Sequence, residues 1–178
     1  MKKIIIALCL LLSSLTIQAQ EGLTWHTDLN KAIEVSNNES KPLFLFFTGS
    51  DWCGWCIRLQ KEVFRTPEFT AWAKEKVVLV ELDFPRRTPQ DEAVKLQNNQ
   101  LQQLLEVRGY PTVFFVTPTL TAAGKINLVQ LGSTGYVAGG PQVWIEGANQ
   151  FLTKFVPNPK PVATKKADTK KAATKKKA

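Results

Sequence analysis

Two cysteines separated by two residues, in Trp52-Cys53-Gly54-Trp55-Cys56, are the side chains of this sequence best suited to chemistry. The apolar run Leu43-Phe44-Leu45-Phe46-Phe47 precedes them and reads as a buried strand, followed by the polar break Thr48-Gly49-Ser50-Asp51. Beyond them Cys56, Leu59, Val63 and Phe64 recur at helical spacing, so both cysteines fall in the first turn of a helix. Unpaired backbone N–H groups at a helix start favour negative charge, and Cys53 should therefore ionise more readily than a free thiol. Its thiolate can attack a disulfide, and Cys56, one turn later, can resolve the mixed disulfide.

The third cysteine, Cys9, lies in an N-terminal stretch that reads as an export signal over residues 1–19: Lys2-Lys3, an apolar core over 4–12, then Ser13-Ser14 to Ala19. That core is too short to span a bilayer, for which about 20 residues are needed. Cleavage after Ala19 leaves Cys53 and Cys56 as the cysteines of a periplasmic or secreted protein. A bridge between them closes so small a loop that it removes little unfolded-state entropy, which favours redox use over a structural staple. The net charge of +8 divides unevenly: residues 157–178 hold eight lysines against Asp168, whereas residues 20–156 carry a net charge of about −1. Residues 20–156 are enough for one domain with its own core. The Thr-Lys-Lys-Ala repeats of 163–178 hold nothing apolar larger than alanine, and residues 157–178 are expected to be a disordered tail.

The elements that must hold the cysteines follow from pattern. Leu23-Thr24-Trp25-His26 is a short strand candidate. Thr27 or Asp28 can cap a helix through Leu29, Ala32, Ile33 and Val35, ending at 37–40. The cysteine helix should break at Thr66-Pro67, with Thr66 capping a new helical piece that buries Phe69, Trp72 and Ala73. Residues 77–82 form a second buried strand. Residues 89–107 form a helix with Val94, Leu101, Leu104 and Leu105 inward, its continuity weakened by Asn98-Asn99 in the middle. Residues 112–116 are a third strand, a turn spans 118–124, and residues 126–131 return as a hairpin partner. Gly139-Gly140-Pro141 opens a last helix whose apolar stripe is Trp144, Ala148, Phe151, Leu152 and Phe155. Strands alternating with helices, then a hairpin and helix, imply an α/β fold with a central mixed sheet flanked by helices on both faces.

The Trp-Cys-Gly-Trp-Cys loop and Val107-Arg108-Gly109-Tyr110-Pro111-Thr112 ahead of a strand, about fifty-five residues apart, resemble the thioredoxin family over roughly residues 25–155. The resemblance implies a thioredoxin-like fold, a cis Pro111 beside the cysteine pair, and a substrate groove lined by Tyr110 and Pro111, with Trp52 and Trp55 as contact surface around the thiols. Three positions depart from thioredoxin. Gly54-Trp55 replaces the Gly-Pro pair, Phe47 stands where a buried aspartate is kept, and Glu81 stands where a lysine is kept. Glu81 either lies under the site and accepts the Cys56 proton, or points to solvent at the strand end. Asp51 either caps the cysteine helix or acts on the thiols, and Arg86-Arg87 either edge the groove or are a solvated pair. His26, the single histidine, supports neither a zinc site nor a His-assisted thiolate.

The leading functional expectation is an exported thiol–disulfide oxidoreductase, with reduction slightly favoured. Cys53 is its nucleophile and Cys56 its resolving cysteine, joined as a disulfide when oxidised. It needs no metal or other cofactor, because the cysteine pair carries the electrons. Its partners would be client proteins with thiols or disulfides and an envelope redox protein that recycles the pair, and it would act as a monomer. The alternative is a binding module of the same fold with an inert structural disulfide. The tail either binds anionic polymer, lipid or nucleic acid, or is an extension with no binding role.

Overall fold

A computed structural model describes residues 22–120 and 125–158. The export signal over 1–19, the lysine-rich stretch from 159 onward and part of the expected 118–124 turn lie outside the described residues. In chain order the elements are β1 (Trp25–His26), α1 (Leu29–Glu39), β2 (Leu43–Thr48) and α2 (Gly54–Leu59), which runs on into a π-helical turn over Gln60–Phe64. They are followed by α3 (Pro67–Lys76), β3 (Val78–Asp83), α4 (Glu92–Leu104), β4 (Thr112–Leu120), β5 (Ile126–Thr134) and α5 (Gly140–Leu152).

One five-stranded sheet has the order β1-β3-β2-β4-β5. β3 runs parallel to both β1 and β2, and β4 runs antiparallel to both β2 and β5. This is the mixed sheet the element order implied. β2 occupies its centre with all six residues buried, as a strand covered on both faces requires. Its alternation divides the core. Phe44 and Phe46 join Leu79, Phe115 and the helices α2, α3 and α5 on one face; Leu43, Leu45 and Phe47 join Val80, Leu82, Phe114 and the helices α1 and α4 on the other.

Local signals set most boundaries. The Asp28 carboxylate accepts the N–H groups of Asn30 and Lys31 and caps α1, and Ser40 ends that helix in the left-handed region at φ 55°. Thr66 Oγ1 accepts the Phe69 N–H at 3.3 Å and Pro67 takes the first turn of α3, as its missing donor allows.

Several expectations need correction. The helix 92–104 is continuous through Asn98, which is buried because its amide donates to the Asp83 carbonyl at 2.9 Å and accepts from Gln97 at 3.1 Å. Leu104 is 63% exposed rather than inward: Leu101 and Leu105, one turn apart, face the sheet, and Leu104 falls beyond the edge of that stripe. β4 does not end before Pro118 but continues to Leu120, and β5 reaches Thr134, with a bulge at Phe115/Val116. Pro118 is accommodated there opposite Leu128 on the sheet's outer hairpin, past the last residue pairing with β2.

The centre of the cysteine-side layer is Trp144 of α5, 1% exposed. Its ring lies 5.4 Å from Phe64, 5.8 Å from Phe69 and 5.9 Å from Phe44, and Nε1 donates to the Gly135 carbonyl at 3.0 Å. Trp144→Ala empties the site on which three helices and two strands converge and should lower unfolding stability by about 3–5 kcal/mol, read as a reduced urea midpoint. A loss under about 1 kcal/mol would mean that the aromatic layer closes over the gap.

Candidate active site

Where β2 ends, Gly49 turns the chain and its carbonyl accepts the N–H groups of Trp52 at 3.3 Å and Cys53 at 2.9 Å. A Cβ on Gly49 would come within 2.4 Å of the Trp52 ring, so only glycine lets that indole fold back over the loop. Cys53 is the N-cap of α2, with extended backbone at φ −84° and ψ 98°, and its Sγ accepts the Cys56 N–H at 3.2 Å. The two sulfurs form a disulfide with the Cα atoms 5.2 Å apart. Cys53 retains 6% of its surface and Cys56 none. Both cysteines are thus buried at the helix start, and of the two Cys53 alone keeps some access to solvent. Reduced, the outer thiol would meet unpaired N–H groups that favour its ionised form.

The loop is fixed by carboxylates reaching across the sequence. Asp51 does not cap α2. Its side chain accepts the backbone N–H groups of Arg86, Arg87 and Thr88 at 2.7–3.2 Å, and these hydrogen bonds, the Arg86 one foremost, hold its carboxyl below the ordinary range. Asp83, at the end of β3, accepts the Ser50 N–H at 2.8 Å and the Ser50 hydroxyl at 2.5 Å. The cysteine loop and the 84–88 segment are therefore tied together. Trp52 Nε1 adds a hydrogen bond to the Phe84 carbonyl at 2.8 Å.

The Tyr110–Pro111 peptide bond is cis, as the resemblance implied. The Tyr110 ring meets Trp52 edge-on at 5.7 Å and Phe84 at 5.3 Å, and its hydroxyl accepts from Gln102 Nε2 at 2.7 Å. Burial pushes the Tyr110 phenol up. On the other side of the cysteines Trp55 is 56% exposed, with Tyr136 at 5.1 Å. Tyr136 follows Gly135, where a Cβ would sit 3.0 Å from the Pro111 carbonyl. Trp52 and Tyr110 thus pack against the layer that holds both cysteines, with Pro111 next to Tyr110 and Trp55 exposed on the loop between the cysteines.

On β2, Phe46 is the residue packed with Cys53 and Cys56, while Phe47, where the resemblance sets thioredoxin's buried aspartate, lies in the layer of α1 and α4. Glu81 pairs in register with Phe46, on the cysteine side. It is half-buried and lines a cavity of about 170 Å³ with Trp25, Phe46, Gln60, Phe64 and Arg65. Among the described residues it has no hydrogen-bond or ion-pair partner; burial, then the nearby Asp83 charge, raises its pKa. Glu81 thus lies on the cysteine-side face of the sheet and keeps part of its surface accessible. His26 lies in β1, opposite Val80. Among the described residues no cluster of three metal-ligating side chains exists, and no helix is long and apolar enough to cross a membrane.

Sequence reasoning missed Tyr136 and its network. Tyr136 donates to Glu62 Oε2 at 2.6 Å, and Arg58 Nε donates to Glu62 Oε1 at 2.8 Å. The Tyr136 hydrogen bond first, then Arg58, holds the Glu62 carboxyl low, and the same bond holds the Tyr136 phenol high. The Arg58/Glu62 helical spacing was readable in the sequence; a partner 74 residues away was not.

The thioredoxin-like family model matches residues 24–118. "Disulfide bond reductase DsbH" of Chlamydia pneumoniae is 35% identical over 134 residues, 75% of this chain and 75% of its own length. "Thioredoxin-related protein DsbJ" of the same organism is 32% identical over 142 residues, which are 77% of this chain but 39% of DsbJ. A solved structure titled "DsbH Oxidoreductase" superposes with a TM-score of 0.64 at 34% identity, covering 75% of this chain and 86% of that one. With the disulfide at a helix start and the cis proline ahead of β4 already in place, a match of this breadth leaves one assignment: the chain belongs to the thioredoxin-like family and has the thioredoxin-like fold.

Proposed function

We propose that the protein is an exported thiol–disulfide oxidoreductase in which Cys53 is the nucleophile and Cys56 the resolving cysteine. The observation that carries this reading is the disulfide at the start of α2, in which Cys53 is the N-cap and keeps a small accessible surface while Cys56 keeps none. In the reducing direction the Cys53 thiolate attacks one sulfur of a client disulfide, and the other client sulfur leaves as a thiolate that takes a proton. Cys56, losing its proton, then attacks Cys53 Sγ, and the client's second sulfur leaves. Two electrons and two protons pass to the client, and the Cys53–Cys56 disulfide forms. A dithiol partner in the cell envelope reverses that last change. Trp52, Trp55, Tyr110 and Pro111 are the surface on which the client segment lies. Reduction is the favoured direction, in line with the printed name of the DsbH relative, and a potential near about −270 mV, rather than near −120 mV, would bear it out.

The reading is tested by separating the two cysteines. Cys56→Ser should accumulate mixed disulfides with client proteins through Cys53, visible as thiol-sensitive bands, while Cys53→Ser should form none and should lose turnover by at least about 10³-fold. Equal trapping by both variants would leave the inert-disulfide alternative standing.

Glu81, on the cysteine face of the sheet, is the proposed acceptor of the Cys56 proton. Because its pKa is raised, the carboxylate needed as acceptor forms only as the pH climbs past the ordinary carboxylate range. Resolution of the mixed disulfide should therefore accelerate with rising pH through that ionisation. Glu81→Gln should remove the inflection and slow resolution by roughly 10²-fold. An unchanged profile in stopped-flow measurements would remove Glu81 from the mechanism.

Export rests on the apolar leader. Protein recovered from the cell envelope should begin at Gln20 by N-terminal sequencing. Intact Met1 on soluble cytoplasmic protein would refute it.

A further inference from the structure

Each tryptophan of the cysteine loop carries an arginine. Arg86 Cζ lies 3.7 Å from the centre of the Trp52 ring, and Arg58 Cζ lies 5.4 Å from Trp55 and 5.0 Å from Tyr136. The carboxylates on the same rim are already engaged: Asp51 by three backbone N–H groups, Asp83 by Ser50, and Glu62 by Tyr136 and Arg58. The guanidinium groups are not. Among the described residues neither Arg86 nor Arg87 forms an ion pair, and Arg58 commits only Nε to Glu62. A guanidinium stacked on an indole keeps its in-plane N–H groups directed outward, in the fork that matches a carboxylate. Arg86 and Arg87 are both exposed. Among the described residues the rim thus offers guanidinium donors that no carboxylate pairs, at Arg86 and Arg87, while its carboxylates are each held by hydrogen bonds of their own, although residues 20–156 as a whole carry a net charge of about −1.

Resting on the oxidoreductase reading above, we propose that this rim selects client disulfides flanked by aspartate or glutamate, with Arg86 as the main contact and Arg58 as the second. A carboxylate beside the client cysteine meets the Arg86 fork next to Cys53. A lysine there meets the unpaired Arg86 guanidinium, while the rim carboxylates are held in their loop hydrogen bonds, and like charge is disfavoured. Selection acts on binding and leaves the sulfur chemistry to the cysteines.

The test uses the reduced full-length protein and two peptides with one internal disulfide each, identical except for Asp or Lys on either side of the cysteines. At low salt the Asp peptide should be reduced about tenfold faster in kcat/KM, and the ratio should shrink to about twofold at 0.5 M NaCl. Arg86→Gln should cut the low-salt ratio to about threefold or less, and Arg86→Lys should fall between, since it keeps charge but loses the fork. The ratio is taken within each protein, so a general effect on the thiols cancels. Equal rates for the two peptides, or a ratio unchanged in both Arg86→Gln and Arg58→Gln/Arg86→Gln, overturns the proposal. A small neutral disulfide, 2-hydroxyethyl disulfide, separates the two readings. Wild-type turnover of it alongside equal peptide rates sinks the rim proposal alone. Failure of the wild type on all three substrates sinks the oxidoreductase reading and the rim with it.

Discussion

The burial of β2 on both faces is the constraint from which the cysteine site follows. None of its six residues is exposed, so the strand has one permitted register: a slip by one position would exchange the phenylalanines between two differently shaped layers. Hydrogen bonding to β3 on one side and β4 on the other then fixes where the strand stops. The Gly49 carbonyl, immediately beyond, takes the N–H groups of Trp52 and Cys53. The start of α2 is consequently set by the end of a strand that cannot move, and the sulfur of Cys53 inherits that rigidity.

Around the disulfide, charge is kept off the sulfurs and spent on holding the loops. Asp51 and Asp83 bind backbone and hydroxyl groups from the opposing loop, and Glu62 is shared between an arginine and a phenol. None of them hydrogen-bonds a cysteine. The thiol chemistry is then governed by two features of the fold, the N–H groups of a helix start and unequal burial, with Glu81 as the one carboxyl on that face left without a hydrogen-bond partner among the described residues. On the cysteine face β2 offers Phe46 and no acid, so the candidate proton acceptor is Glu81 on the neighbouring strand.

What could be read from the residues was whatever short-range rules govern. The Thr66-Pro67 helix start, the Asp28 cap, the double-sided strands and the face of α5 obey rules that act within one or two turns. The cis peptide at Pro111 came from family resemblance and not from such rules. Asp51 was misassigned because its partners lie 35 to 37 residues away, and capping is merely the nearest use for an acid before a helix. Pro118 suggested a turn because proline lacks a donor, yet an outer hairpin has positions where no donor is needed. Tyr136 had no signal at all until the fold brought its loop to Glu62.

The stacking of Arg86 and Arg58 on the loop tryptophans bears on how the site can discriminate at little cost to affinity. A free arginine loses much rotamer freedom when it binds a carboxylate, which offsets the gain from the ion pair. Here the ring contacts already restrict the guanidinium groups, and the loop beneath Arg86 is pinned by the Asp51 carboxylate through the backbone N–H of Arg86 itself. The ordering cost is met largely in folding, by the same carboxylate that anchors the cysteine loop. Catalytic geometry and client choice are therefore coupled through Asp51. Any change that loosens the 86–88 segment acts on the cysteine loop and on the arginine rim together, whereas a change at the arginine head groups acts on the rim alone.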